Sequence, residues 1–232
     1  MAIQRFDEVE NLYRGYSESW FDKMDISEGD KKRRVQLSLD YCEIIIMLFM
    51  MIEENETRDN IHRFAEERLN VIADRYIGKD DVAYINDWAK IEADNIVDKT
   101  FEKIAEVEQE TENPESDTSE STYHFEEFDV DVPKTEYWTS DIRGLLLGIE
   151  CANSVANYYE LYDALEKGYT HKVWLTEADN RVRATHQRVD HVDIPITDLF
   201  EVGDSLLLFP GDVSNGASPQ EIDNCRCTLS FY

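Results

Sequence analysis

The sequence predicts an α+β protein, with an N-terminal helical bundle followed by a small α+β C-terminal domain in which one long helix packs on a few short strands. Three observations predict it. Apolar residues recur at helical spacing through residues 1–105. The composition turns sharply acidic over 106–136. One further helical pattern then leads into short apolar runs bounded by turn residues over 137–232.

The first helix is read from Phe6, Val9, Tyr13, Tyr16 and Trp20 on one stripe. "SEGDKKRR" (27–34) reads as a turn into a second helix, which is apolar nearly all round from Ile44 to Ile52. Such a helix lies at the centre of a bundle or against another chain, and the bundle core is the commoner case. Its greasiest run, 41–52, is short for a bilayer and carries Glu43. A third helix carries Ile61, Ala65, Leu69, Ile72 and Tyr76, with Gly78 as its C-terminal cap. A fourth runs from near Asp80 through Ile85, Trp88, Ile96 and Phe101. His62, beside this pattern, reads as a surface or half-buried structural residue.

Residues 106–136 hold Lys134 as their sole base among many carboxylates, with Pro, Ser and Thr breaking any period. This composition predicts a disordered, solvated linker. An EF-hand loop would need ordered aspartates around a central glycine, which the segment lacks. "YHFEEFDVDV" alternates well enough for an edge strand, and His124 within it is assigned no role. Beyond Tyr137 a helix is read from Leu145, Ile149, Ala152, Ala156 and Tyr159, stopped at Gly168. "HKVWL" (171–175), "DSLLLFPGD" (204–212) and "CRCTLSFY" (225–232) read as strands.

The formal net charge is -28, the opposite of the balance needed to neutralise phosphates, so a general nucleic-acid coat is excluded. The charge suits a soluble protein or one that meets basic surfaces. Four cysteines are too few and too scattered for a secreted disulfide scaffold, and "MAIQRFDEVENLY" lacks the apolar stretch of a signal peptide. Cytoplasmic synthesis is therefore expected. Cys42 and Cys151 fall inside helical patterns and read as small core residues.

The chemistry-bearing residues gather in "WLTEADNRVRATHQRVDH" (174–191) and in "NCRC" (224–227). On a strand, Cys225 and Cys227 face one side, and with His186 they offer three zinc ligands. His191 fits that set poorly, because helical residues five apart diverge by about 140°. A local disulfide would have to span about 6.6 Å of extended chain, near its upper limit. The plainest reading makes both cysteines small, half-buried strand residues. A hydrolase or nuclease reading takes His186 as base, with Asp179 and Arg183, or a cysteine as nucleophile. The same residue types also build loop-stabilising networks, and no phosphate-binding glycine loop, serine elbow or metalloprotease helix is present.

The order of these pieces resembles the phage Mu F-like minor head proteins, also called phage head morphogenesis proteins. The resemblance covers about residues 140–232. It runs through a helix glutamate at Glu150 with Asn153, then Lys172 and Trp174, then Asp179, Arg181, Arg183, Thr185 and His186. Phe200, Pro210, Gly211 and Asp212 follow, and Glu221, Asn224, Cys225, Arg226 and Cys227 close it. Two positions depart from the family pattern. Gly148 stands where an arginine is frequent, and His191 where a glycine is frequent, so His191 reads as a turn residue.

The resemblance implies a structural component of a phage or prophage head, without catalytic residues, that binds the portal protein and other head components during assembly. It also implies a role in DNA packaging or retention, with contact to viral DNA, and no membrane. Such a protein would pass from the host cytoplasm into the virion head. The cluster it carries over is Glu150, Trp174, Asp179, Arg181, Arg183, His186, Asn224, Cys225 and Cys227. No cofactor is assigned apart from zinc as an alternative on His186, Cys225 and Cys227. Asn224, Cys225 and Cys227 are expected to hold the last strand against the His186 loop.

Overall fold

A computed structural model describes residues 2–78, 82–112, 122–125 and 129–232, with side chains described from Glu10 onward except at 110–112. The architecture is α+β, with a helical N-terminal region followed by short sheets.

Four helices come first: α1 (Ala2–Phe21), α2 (Glu28–Glu53), α3 (Arg58–Ile77) and α4 (Ala83–Glu112). The "SEGD" stretch is the start of α2 rather than a turn before it. The Ser27 hydroxyl accepts from the Asp30 amide at 3.1 Å, satisfying one of the free amides of the first turn. Its 26 residues are long and apolar enough to cross a membrane by length and composition. Here α2 packs against α1, α3 and a later helix, α6 (Asp141–Glu166), with Ile45, Ile46, Leu48 and Phe49 all buried. The central position expected for this helix is the one it takes. Gly78 ends α3 at φ 73°, its amide bonded to the Asp74 carbonyl. The expected start of α4 at Asp80 lies outside the described residues.

The expected acidic linker is structured at both ends. Residues 106–112 continue α4, and β1 (Thr122–Phe125) pairs antiparallel with β2 (Val130–Pro133), leading into the single turn α5 (Lys134–Tyr137). Residues 113–121 and 126–128 lie outside the described residues. His124 sits 2.8 Å from Asp131 across the hairpin.

The second half begins with α6 (Asp141–Glu166), capped by Ser140, whose hydroxyl accepts from the Arg143 amide at 3.3 Å. Next come β3 (His171–Leu175), α7 (Ala184–Val189), β4 (Asp193–Pro195), β5 (Phe200–Val202), β6 (Ser205–Leu207), α8 (Pro219–Ile222) and β7 (Thr228–Phe231). β3 is the middle strand of an antiparallel sheet ordered β4-β3-β7, with Trp174 opposite Leu229. β5 and β6 form a separate hairpin. Cys225 and Cys227 do not lie on a strand, because pairing begins at Thr228.

The two halves share one core. Buried residues of α1–α4 and of the 137–232 unit form a single apolar cluster, and the packing of α6 on α2 is its centre. Gly148 makes this crossing possible. A Cβ there would stand 2.6 Å from the Ser38 carbonyl oxygen and 2.9 Å from the Cys42 amide nitrogen. An arginine at this position is incompatible with such an approach.

Candidate functional site

The site is built where α6, α7 and the chain before β7 meet. Asn153 and Asn157 stand four apart on α6 and so share one face. The Asn153 amide donates to the Cys225 carbonyl at 2.9 Å. The Asn157 amide donates to the carbonyls of Pro210 at 2.9 Å and Cys227 at 3.2 Å. Their side-chain oxygens are met from the other side by Arg34 of α2, which is fully buried. Its guanidinium donates to Asn153 Oδ1, to Asn157 Oδ1 at 3.1 Å and to Glu160 at 2.6 Å. A buried guanidinium is tolerable only when paired in this way.

The backbone of residues 225–227 is thus fixed, and both thiols turn toward α7. His186, at 1% exposure, stands with Nδ1 3.4 Å from the Cys227 sulfur and 3.6 Å from the Cys225 sulfur. All three donor atoms lie within 4.8 Å of one another. The Trp174 ring packs edge-on against His186 at 5.5 Å, and its indole N–H is buried without a formed hydrogen bond. The thiols share a hydrogen bond that holds Cys225 well below the usual thiol range and Cys227 above it. His186 Nε2 stands 3.2 Å from Glu221 Oε2, but its N–H direction misses that oxygen, so this is an ion-pair distance rather than a formed hydrogen bond. Thr185 donates to the same carboxylate at 2.7 Å. A cavity of about 20 Å³ borders His186, Cys225 and Cys227 and is lined further by Glu177, Arg181 and Arg183.

The other predicted residues frame this centre. Asp179 accepts from Arg226 at 2.7 and 2.9 Å and from the Arg181 amide at 2.9 Å. Arg183 donates to the Asp223 carbonyl. Asn224 takes φ 54°, a left-handed conformation that asparagine tolerates better than most, and so turns the chain from α8 into the cysteine segment. His191 also has a left-handed φ, 58°, as its turn reading requires. Its exposed ring contacts Asp190 at 3.7 Å and stays away from the thiols. His62 is half-buried between Asp94 at 3.2 Å and Asp98 at 2.7 Å.

Lys172 and Asp212 serve the framework. Lys172 is fully buried, donates to the Leu208 carbonyl at 2.6 Å and lies over the Phe200 ring, and burial pulls its ammonium down to about 8. Asp212 accepts from the Leu208 and Ser214 amides at 2.8 and 2.9 Å and from Tyr84 of α4 at 3.1 Å.

Glu150 is the one predicted cluster residue that lies elsewhere. It faces a cleft of about 450 Å³ between α4, α6 and the α8 segment, with Glu92, Lys99 and Asp223. Burial, then the Asp223 and Glu92 carboxylates, holds the Glu150 carboxyl well above its usual range. Burial first and Asp223 second push Glu92 up to about 7. Asp223 touches both places, since its side chain lines the cleft with Glu150 while its carbonyl accepts from Arg183.

Sequence reasoning missed Arg34, Asn157 and Glu92. Paired asparagines four apart in a helix of small apolar residues were the available signal for Asn157, because an amide buried there needs partners. Arg34 was hidden inside a run of four bases that reads as solvated. Comparison with family models, with curated proteins and with solved structures finds no match.

Proposed function

We propose that the protein is a structural minor head component of a phage or prophage, binding at the portal vertex during head assembly. One observation supports this reading above the others. The ordered residues that carry the family resemblance are spent inside the fold on bonds that join loops to helices. Asp179 is held by Arg226, Arg183 by the Asp223 carbonyl, and Asp212 by its own loop and Tyr84. Asn153 holds the Cys225 backbone. Residues used this way maintain a shape for other proteins to bind.

The charge of -28 directs contact toward basic protein surfaces. The hydrolase alternative draws on Asp179, Arg183 and His186, and the first two are tied by hydrogen bonds while His186 is buried. The test is co-purification of the tagged full chain with the portal protein encoded in the same gene cluster. Stable capture of portal is expected, and failure to bind any head component would overturn the proposal. A cleavage activity lost in a folded His186→Ala variant would favour the hydrolase.

A further inference from the structure

We infer that His186, Cys225 and Cys227 form a zinc site that clamps α7 to the segment before β7. The inference stands apart from the head-protein reading and rests on the geometry of the three groups.

Zinc accepts thiolate at about 2.3 Å and imidazole at about 2.0–2.1 Å, which in a tetrahedron places nitrogen and sulfur about 3.6 Å apart. The two observed separations are 3.4 and 3.6 Å. The hydrogen bond between the thiols does not by itself account for the placing of the ring. One ring nitrogen offers a single hydrogen or a single lone pair, yet two sulfurs stand at it at nearly equal distance. A cation on the shared side of all three satisfies them together. Thiolate with imidazole is also the donor mixture that selects zinc over the hard cations calcium and magnesium.

The surroundings match what a bound ion needs. Metal-ligating histidines present their second ring nitrogen to a carboxylate, and His186 Nε2 stands 3.2 Å from Glu221 Oε2, which Thr185 orients, so that a small turn of the ring would form that bond. The Trp174 ring packs on His186, and its buried N–H has no formed hydrogen bond, which leaves it available to a thiolate. Both cysteine carbonyls are pinned by α6, so the ligands are set before binding. The adjoining cavity, about 20 Å³, is large enough for one water, which would complete four-coordination. Binding exchanges at most two thiol protons, released to solvent, for one ion, with no change of oxidation state.

The experiment is metal analysis of the full chain, purified without chelator and desalted after incubation with excess Zn²⁺. About one zinc per chain is expected. Replacement by Co²⁺ should give the intense visible absorption of a tetrahedral ion with a thiolate charge-transfer band in the near ultraviolet. Cys225→Ser and Cys227→Ser should each weaken that band, and His62→Ala should leave it intact. Because a ligand variant can fail to fold, Glu221→Gln supplies the second measurement. It keeps all three ligands and should lower zinc affinity about 10–100-fold. Less than about half an equivalent of zinc in folded wild-type protein would overturn the inference. So would full zinc retention by the folded double-serine variant, or a Cys225–Cys227 disulfide in protein prepared under reductant.

Discussion

At position 148 a single hydrogen decides how close two helices come. A methyl group there would fall within van der Waals distance of the α2 backbone, which cannot rotate away as a side chain can. Gly148→Ala gains about 1 kcal/mol of helix propensity but must push α6 off α2, so a net loss of about 1–3 kcal/mol is expected. Urea unfolding checks it, through a lowered midpoint at unchanged slope.

Glu92 makes a second residue-scale prediction. Its carboxyl is raised from 4.5 to about 7 in the fold, chiefly by burial. Between those values the folded chain holds a proton that the unfolded chain has released, so this group's contribution to stability declines as pH rises from about 4.5 to 7. Glu150 is raised as well and acts in the same direction. Glu92→Gln should therefore melt above wild type at pH 8, by an amount of order 1–3 kcal/mol, with the difference closing near pH 4. Melting curves across this range test the sign.

Among the elements, the contact that matters most is the polar seam between α2 and α6. Truncating Arg34 to methionine would leave the oxygens of Asn153 and Asn157 and the Glu160 carboxylate without their buried donor. A loss of about 3–5 kcal/mol is expected. Paired with Asn157→Leu in a double-mutant cycle, it should show coupling of about 0.5–3 kcal/mol, whereas strict additivity would mean the seam carries nothing.

Elements with a clear period were legible in the sequence. Ile61, Ala65, Leu69 and Ile72 mark α3, and "HKVWL" coincides with β3. The tail of α4 was not legible, since its Glu and Gln residues signal solvation and helix propensity alike. The site was readable only in part. His186 and Cys227 are 41 residues apart, and periodicity carries no information about such a pairing. Arg34 joins Asn153 across 119 residues. Residue chemistry alone brought His186, Cys225 and Cys227 together, whereas the resemblance grouped Glu150 with residues that face a different cavity.

On the scale of the whole molecule, one core spans both halves, so the chain should unfold as one unit. Calorimetry should record a single transition, and two separated transitions would contradict the shared core. Residues 137–232 expressed alone would expose the apolar face of α6 and should bind hydrophobic dyes. The charge of -28 adds self-repulsion that salt screens, so melting temperature should rise between 20 and 200 mM NaCl by simple screening, as the Debye length shrinks from roughly 20 Å to under 10 Å.

The pinning of residues 225–227 by α6 also sets an order of events during synthesis. Asn153 leaves the ribosome 72 residues before Cys225, whose carbonyl its amide bonds. Asn157 likewise waits 70 residues for Cys227. Until that segment emerges, β3 has no β7 beside it, and the side chains meant for the cysteine carbonyls remain in water. The helices can gather early from contacts close in sequence, while the polar half of the core closes late. A nascent chain stalled before Cys225 therefore carries an open α6 face, which the segment carrying Cys225 and Cys227 seals.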